Sequence, residues 1–318
     1  GLPSSLAAKY RDQIGHPDHR GIAREAVRKS QVLLKNENQR LPLSPRGTYF
    51  VTGPGADNIG QQSGGWSVSW QGTGNSNSDF PGGTSILDGI ERQVSAAGGR
   101  VVRDINADVD AAVVVFGETP YAEGQGDTYT VAWYDKRGER KLINALVGKG
   151  IPVVAVFLTG RPMWINDVLN QSDAFVVSWL PGTEGEGIAD VLLRDANDAV
   201  QFDFVGKLPM PWPAFDVNAR DRDMPVDAFV CPIGYGLSVT QDTVWSTLSE
   251  ELIGADNSLD QEGFKGGPRG SWKLFTGDKS DWTVEVTSSI AQSSSGSVEV
   301  RSIDREVQEH SRSMTFGE

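Results

Sequence analysis

Three carboxylates, Glu118, Glu123 and Asp127, follow the apolar run Ala111–Phe116 along the chain. Such a run is typical of a buried parallel strand, and open α/β sheets bind their ligands at the carboxyl ends of the strands. A carboxyl group on a partly desolvated loop has a raised pKa, which suits a general acid. The spacing therefore indicates acid–base chemistry on this loop.

Two other interpretations of the same loop stay open. The composition alone favours an ordinary solvated acidic loop. Three carboxylates with nearby carbonyl oxygens could also ligate a hard cation such as calcium, although the spacing does not match the EF-hand pattern. No Cys/His spacing suited to zinc occurs either. We expect no metal site and no cofactor.

A glycine-rich stretch, Gly64-Gly-Trp-Ser-Val-Ser-Trp-Gln-Gly72, contains Trp66 and Trp70. Two indoles four residues apart in such a loop are poorly placed for a core, and exposed indole faces can stack on the apolar faces of pyranose rings. For an isolated pair the commoner outcome is that one indole packs beneath the loop and the other meets ligand. The stretch predicts a sugar-facing loop.

Composition and motifs exclude several other functions. The chain of 318 residues has 42 acidic and 29 basic side chains, a net charge of −13, which argues against a nucleic-acid partner. The turn Gly53-Pro-Gly55 lacks the Gly-Lys-Ser/Thr ending of a phosphate-binding loop. Histidine occurs only at positions 16, 19 and 310, and no Gly-x-Ser-x-Gly is present, so a serine hydrolase is not expected. No apolar run is long enough for a membrane span.

Strand-like and helical runs alternate between residues 48 and 240 and must position these loops. Continuous β-branched runs separated by helices indicate a mostly parallel sheet covered on both faces. An eight-stranded barrel needs about 250 residues, so we expect an open flavodoxin-like (α/β)6 sandwich. The predicted strands are Tyr49–Thr52, Arg100–Asp104, Ala111–Phe116, Val153–Leu158 and Ala174–Trp179, and the predicted helices are Ser85–Ala97, Tyr134–Val147, Pro162–Leu169 and Gly187–Leu193.

The flanking regions differ in character. Residues 1–47 are predicted to form a linker and a first helix over His19–Asn36, capped by Asp18. Residues 241–318 are rich in Ser and Thr and contain alternating runs such as Trp282–Thr287 and Ser297–Arg301. These runs predict a small antiparallel β-module with about four strands, where a complete sandwich needs about seven.

Longer motifs also occur in order between residues 15 and 240. They are Glu25–Asn36 followed by Leu41–Leu43, Gly64–Gly72, Gly117–Asp127, Thr159–Pro162, Trp179–Asp190, Gly206–Pro209 and Gly234–Leu237. Together they resemble glycoside hydrolase family 3, in the branch of β-glucosidases and exo-β-glucanases. The tail from residue 241 resembles the extra β-module of bacterial members more loosely.

The resemblance implies two-step retaining hydrolysis of β-linked gluco-oligosaccharides, with one carboxylate as nucleophile and a second carboxyl group as acid/base. The family's acid/base is the second glutamate of Gly-Glu-x-Pro-Tyr-x-Glu, which is Glu123 here. By the same resemblance, Trp70 would clamp the sugar in the +1 subsite with Trp66 in support. Glu118 would brace the loop at the substrate site and is the second choice for the acid. A periplasmic or secreted location is also implied.

The other half of this mechanism is not found in the sequence. The family's nucleophile is an aspartate in a Ser-Asp-Trp-like motif on an N-terminal (β/α)8 barrel, which this chain lacks. Ser280-Asp-Trp282 does occur, but it adjoins an alternating strand in the β-module, and we interpret it as coincidence. We therefore predict that this chain supplies the acid/base lobe and is inactive alone. The alternative is a non-catalytic carbohydrate-binding or scaffold module.

Overall fold

The computed structural model describes residues 9–128, 130–135, 137–216, 229–242 and 246–251, and beyond these the backbone of six short strands. The chain divides into two compact units, Gly1–Glu250 and Glu251–Glu318. Each unit is described by itself. The domain limits predicted at residues 47 and 240 stay predictions.

A six-stranded sheet forms the middle of the first unit, in the order β3-β2-β4-β5-β6-β1. Strands β2 to β6 are parallel, and β1 runs antiparallel along the edge of β6. The five parallel strands follow the flavodoxin-like order, so the predicted open, mostly parallel sandwich is confirmed. The strands are β1 (Val32–Asn36), β2 (Thr48–Thr52), β3 (Arg100–Val102), β4 (Ala111–Gly117), β5 (Val153–Leu158) and β6 (Ala174–Trp179).

Helices cover both faces of this sheet. Helices α1, α3 and α6 pack on one face, and α4 and α5 pack on the other. Helix α1 is capped by His16, whose ring nitrogen accepts the backbone N–H of Asp18, and not by Asp18 as predicted. The α-helices of the described residues are α1 (Pro17–Ser30), α2 (Ile59–Ser63), α3 (Ile86–Ala96), α4 (Glu139–Gly148), α5 (Asn166–Gln171) and α6 (Glu186–Leu192).

Alternate side chains of each strand enter two separate cores. In β4, Val113 and Val115 face the core under α1, α3 and α6, whereas Val114 and Phe116 face the core under α4 and α5. All seven residues of β4 are buried. Burial on both faces explains why the central strands are continuous apolar runs and why their limits are predicted well.

Strand β1 occupies the last five residues of the helix predicted over His19–Asn36. Helix α1 ends at Ser30, and the chain then pairs with β6. Leu33 enters one core and Leu34 the other, which only an extended backbone allows. A short run buried on both faces shows no alternation, so periodicity cannot separate a strand from a buried helix here.

The described residues of the second unit form three pairs of short antiparallel strands. This agrees with the small antiparallel module expected there, while its likeness to a β-sandwich stays a prediction. Ser280 and Asp281 lie outside the described residues, and Trp282 begins a strand. The pairs are Leu259–Asp260 with Gly263–Phe264, Ser271–Leu274 with Trp282–Glu285, and Ser297–Val300 with Arg312–Thr315.

Candidate functional site

The loops that carry Trp70 and Glu123 leave the carboxyl ends of two adjacent parallel strands, β2 and β4. The chain order of the sheet reverses at this point, because β3 lies outside β2 and β5 lies beyond β4. Such a switch point opens a crevice between neighbouring loops and is where open α/β sheets bind ligands. The topology thus brings together two loops that are far apart in sequence.

A hydrogen bond joins the two predicted site residues. The indole Nε1–H of Trp70 donates to Glu123 Oε2 at 2.6 Å. The next side chain, Gln71, fixes the loops to each other: its amide Nε2 donates to the Glu123 carbonyl at 3.0 Å, and its Oε1 accepts the Ala122 N–H at 2.7 Å. Sequence reasoning assigned Gln71 no role, although it lies inside the Gly64–Gly72 motif.

The carboxylate of Glu123 is exposed, and its pKa lies below the usual value. The hydrogen bond from Trp70 is the main cause, with smaller contributions from the residue's own backbone N–H and from Trp66. This is opposite to the raised pKa expected from a desolvated loop. The physical reason is that an exposed carboxylate has little desolvation cost, while the indole donor favours its charged form.

Both indoles are presented to solvent. Trp66 is 71% exposed and Trp70 is 57% exposed, and their ring centroids lie 6.3 Å apart with the planes inclined at 47°. Neither packs beneath the loop, which differs from the commoner outcome for such a pair. Val68, between them, adopts φ 63°, a left-handed conformation that is strained for a β-branched residue. Such strain is characteristic of functional loops.

Glu118 has very different surroundings from Glu123. Its Oε1 accepts Nε and Nη2 of Arg161 at 3.0 and 2.8 Å. Its Oε2 accepts the hydroxyls of Thr159 at 2.7 Å and Tyr121 at 3.1 Å. Both oxygens are therefore engaged within the protein, which favours the bracing role of Glu118 over contact with substrate or proton transfer.

Arg161 extends this brace to the far end of the acidic loop. Its Nη1 donates to the Gly126 carbonyl at 2.7 Å, and its guanidinium lies 4.4 Å from the ring centroid of Tyr121. The residue follows β5, so it joins the loops of β4 and β5. The sequence motif Thr159–Pro162 contains this arginine, but the motif alone gives no sign of its partner.

Gly65 is required where the two loops touch. A Cβ atom on Gly65 would lie 2.0 Å from the Tyr121 carbonyl oxygen, a distance that no side chain tolerates. Backbone therefore packs directly against backbone at this point. This close approach explains why the tryptophan-bearing loop begins with glycines.

The structure gives no support to the calcium interpretation. Asp127 is exposed, while Glu118 is engaged by Arg161. Among the described residues, no group of three or more His, Cys, Asp and Glu side chains is placed to hold a metal ion. In the same part of the chain, no helix is long and apolar enough to cross a bilayer.

Curated relatives of this chain include two β-glucosidases. It is 33% identical to the lysosomal beta glucosidase of Dictyostelium discoideum over 64% of this chain and 26% of the relative. It is 31% identical to the periplasmic beta-glucosidase of Salmonella typhimurium over 76% of this chain and 38% of the relative. The chain thus spans well under half the length of these relatives.

Solved structures show the same relationship. The exo-1,3/1,4-beta-glucanase ExoP of a Pseudoalteromonas species superimposes with a TM-score of 0.73 at 43% identity, over 84% of this chain and 32% of ExoP. A structure of a point mutant of ExoP gives a TM-score of 0.72 at 46% identity, over 76% of this chain and 40% of that one. The family model of the glycosyl hydrolase family 3 C-terminal domain matches residues 31–241. The chain therefore belongs to glycosyl hydrolase family 3, and residues 31–241 are its C-terminal domain.

Proposed function

We propose that this chain is the acid/base lobe of a retaining, exo-acting β-glucoside or β-glucan hydrolase. Glu123 is the general acid/base, Trp70 stacks on the leaving-group sugar, and Trp66 supports Trp70. The observation that carries the proposal is the hydrogen bond between Trp70 and Glu123 on an exposed face at the switch point. It supports the proposal because a carboxyl group is held at the edge of an indole whose face is exposed to solvent.

The nucleophile is assigned to a (β/α)8 barrel domain that lies outside this chain. Retaining hydrolysis needs two carboxyl groups about 5–5.5 Å apart. Glu118 does not serve as the second, because both of its oxygens are bound to Arg161, Thr159 and Tyr121. Covering the exposed face with a second domain would also desolvate Glu123 and raise its pKa, as a general acid requires.

The test is Glu123→Ala in a protein in which a family 3 barrel precedes this chain. Substrates with poor leaving groups need protonation, so their hydrolysis should fall by about a hundredfold or more. Aryl glucosides with good leaving groups should be affected much less in the first step, and added azide, which needs no general base, should restore turnover.

Asp127→Asn is the matched control, since Asp127 is an exposed carboxylate of the same loop. It should leave both substrate classes unaffected. Equal losses for good and poor leaving groups in Glu123→Ala, without azide rescue, would place the acid/base elsewhere. Turnover of an aryl β-glucoside by the 318-residue chain alone would contradict the role of a separate barrel.

A second candidate function is carbohydrate binding without catalysis. The two exposed indoles favour it, because they form a stacking surface that needs no other domain. Calorimetry with gluco-oligosaccharides separates the two functions: half of a catalytic site should bind weakly, whereas a binding module should bind at useful affinity. Trp70→Ala should abolish whatever binding is found.

We also propose a periplasmic or secreted location. The Salmonella relative is named a periplasmic enzyme, and a polymeric glucan is met outside the cytoplasm. Immunodetection of the protein in the source cell's periplasmic or culture fraction tests this, and confinement to the cytoplasmic fraction would contradict it.

A further inference from the structure

A small crevice of about 120 Å³ opens between the same two loops at the switch point. It lies between the segment that continues from Trp70 and the segment that joins Glu118 to Tyr121. Apart from Pro120, the side chains that line it are polar, and neither function proposed above uses it. The polar side chains belong to Asn58, Gln61, Thr73, Asn75, Thr119 and Arg137.

The lining contains amides, hydroxyls and one guanidinium, but no carboxylate. With no carboxylate in the lining, no negative charge there opposes an anion beside the guanidinium. At this volume the crevice is also smaller than the roughly 300 Å³ or more of typical small-molecule sites. It suits one substituent of a larger ligand.

Arg137 provides the charge. Its Nη2 donates to Thr119 Oγ1 at 3.0 Å and its Nη1 to Gln61 Oε1 at 3.3 Å, so neutral acceptors hold the guanidinium in place and leave further N–H groups free. Within the part of the chain that the structure describes, no carboxylate forms an ion pair with it. By contrast, Arg161 on the neighbouring loop is paired with Glu118.

The backbone of Arg137 is held firmly beside the crevice. Its N–H is shared between Asp135 Oδ1 and Glu139 Oε2, each at 3.1 Å. Asp135 and Glu139 are the nearest acidic groups along the chain, two residues to either side of Arg137. The oxygens of Asp135 also accept the N–H groups of Gly138, Glu139 and Arg140 at the start of α4. The Asp135 carboxylate is therefore engaged by the N–H groups at the start of α4, and the Arg137 guanidinium remains available to a ligand.

We propose that this crevice binds an oxyanion, a carboxylate or sulfate group carried on the leaving-group side of the glycan, through Arg137. The placement on the leaving-group side rests on the proposed function, whereas the oxyanion site itself does not. A guanidinium binds such groups through paired, charge-assisted hydrogen bonds. The walls of the crevice are the loops of Trp70 and Glu123, so a sugar on Trp70 could direct its substituent there.

The test is a titration of the 318-residue chain in which NMR monitors the backbone amide signals of Thr119 and Asn75. The probes are sodium sulfate, sodium glucuronate and glucose, at constant ionic strength set with sodium chloride. Sulfate or glucuronate should cause saturable shifts and glucose should not, and the two anions distinguish a sulfate from a carboxylate ligand. Arg137→Ala should weaken the binding by about tenfold or more, the loss of a charge-assisted hydrogen bond.

Arg100→Ala is the control, because Arg100 is an exposed arginine at the opposite end of the sheet, where β3 begins. It should bind the anions as the wild type does. Equal binding by Arg137→Ala, or glucose binding as strong as glucuronate binding, would overturn the proposal. So would binding that is present in this chain but lost in a protein with a preceding barrel, because Arg137 would then pair with that domain. None of these results depends on hydrolysis.

Discussion

Glu118 and Glu123 lie on one loop, but their partners give the two carboxylates different properties. Arg161 and two hydroxyls bind Glu118, whereas one indole N–H binds the exposed Glu123. A side chain that is fully bonded inside the protein holds a loop in place, while one with free lone pairs can meet a ligand. The residue type alone does not distinguish them.

Trp70→Phe tests how far the indole controls this carboxyl group. Phenylalanine keeps an aromatic face but has no N–H, so the charged form of Glu123 loses its main donor and its pKa should rise toward the usual value. An NMR titration of the Glu123 side-chain carboxyl measures this. Trp66→Phe, which removes the smaller contribution, should give a smaller rise. An unchanged pKa in Trp70→Phe would mean that the hydrogen bond does not form in solution.

At the scale of structural elements, the loops that carry Trp70 and Glu123 depend on each other for their positions. They are in contact at Gly65. In Gly65→Ala the new Cβ would lie 2.0 Å from the Tyr121 carbonyl oxygen, so the loops must separate. We expect the Trp70 indole N–H resonance to lose its dependence on the titration of Glu123. Gly148→Ala, whose Cβ would meet nothing within 4 Å, should preserve that dependence. Retention of the dependence in Gly65→Ala would show that the loops can adjust without parting.

The start of α4 contains a carboxyl pair that makes a second element sensitive to pH. Burial, and then the hydrogen bond with Asp135, raises the pKa of Glu139 from 4.5 to about 7. Burial acts in the same direction on Asp135, but the hydrogen bond from Glu139 and the backbone N–H groups outweigh it and lower that pKa to about 2. Glu139 is therefore protonated in the folded chain at mildly acidic pH and donates to Asp135.

Glu139→Gln should reduce the pH dependence of the free energy of unfolding. Because the folded pKa of Glu139 is raised, its stabilisation is present below about pH 4.5 and is lost as the pH rises through about 7. The free energy of unfolding of the wild type should fall between pH 5 and 8, and the fall should be smaller in Glu139→Gln. Urea unfolding at both pH values measures this free energy.

Glu91→Gln is the control, because Glu91 lies on the exposed side of α3, and it should show the same fall in stability as the wild type. A fall of wild-type size in Glu139→Gln would exclude the Glu139 carboxyl group as the source.

The sequence predicts the central elements well and the edges less well. Strands β5 and β6 coincide with their predicted limits because both are mainly apolar runs that are buried on both faces of the sheet. Helix α4 begins at Glu139 and not at Tyr134, because the preceding Gly138 is left-handed (φ 84°) and the Asp135 carboxylate accepts the first N–H groups of the helix. Trp70 and Glu123 were predicted through the family resemblance, whereas the partnership of Arg161 with Glu118 depends on a distance between loops that no local pattern encodes.

At the scale of the whole first unit, two buried carboxylates hold the first helix against the sandwich. Glu184 pairs with Arg20 of α1, and Asp190 makes the larger set of contacts. Asp190, on α6, is 1% exposed. It accepts Arg24 Nε at 2.7 Å and Arg28 Nη1 at 3.0 Å from α1, and Gln93 Nε2 at 2.7 Å from α3. These contacts attach α1 to the sandwich through its polar side chains. Val27 is the one hydrophobic side chain of α1 that is buried. The position of α1 therefore depends on charge more than on apolar packing.

Asp190→Ala should loosen α1 and destabilise the first unit. Removing one partner of a buried ion pair leaves the others uncompensated, which costs about 3–5 kcal/mol. The arginines keep some access to solvent, so we expect a loss near the lower end. Urea unfolding measures the loss, and hydrogen exchange should show the amides of α1 exchanging faster than those of β4. Glu25→Gln, which removes only an exposed pair with Lys29, should leave both measurements unchanged. If Asp190→Ala also left them unchanged, the pairs of Arg20 with Glu184 and of Arg24 with Glu186, together with the apolar contacts of α1, would be sufficient to hold the helix.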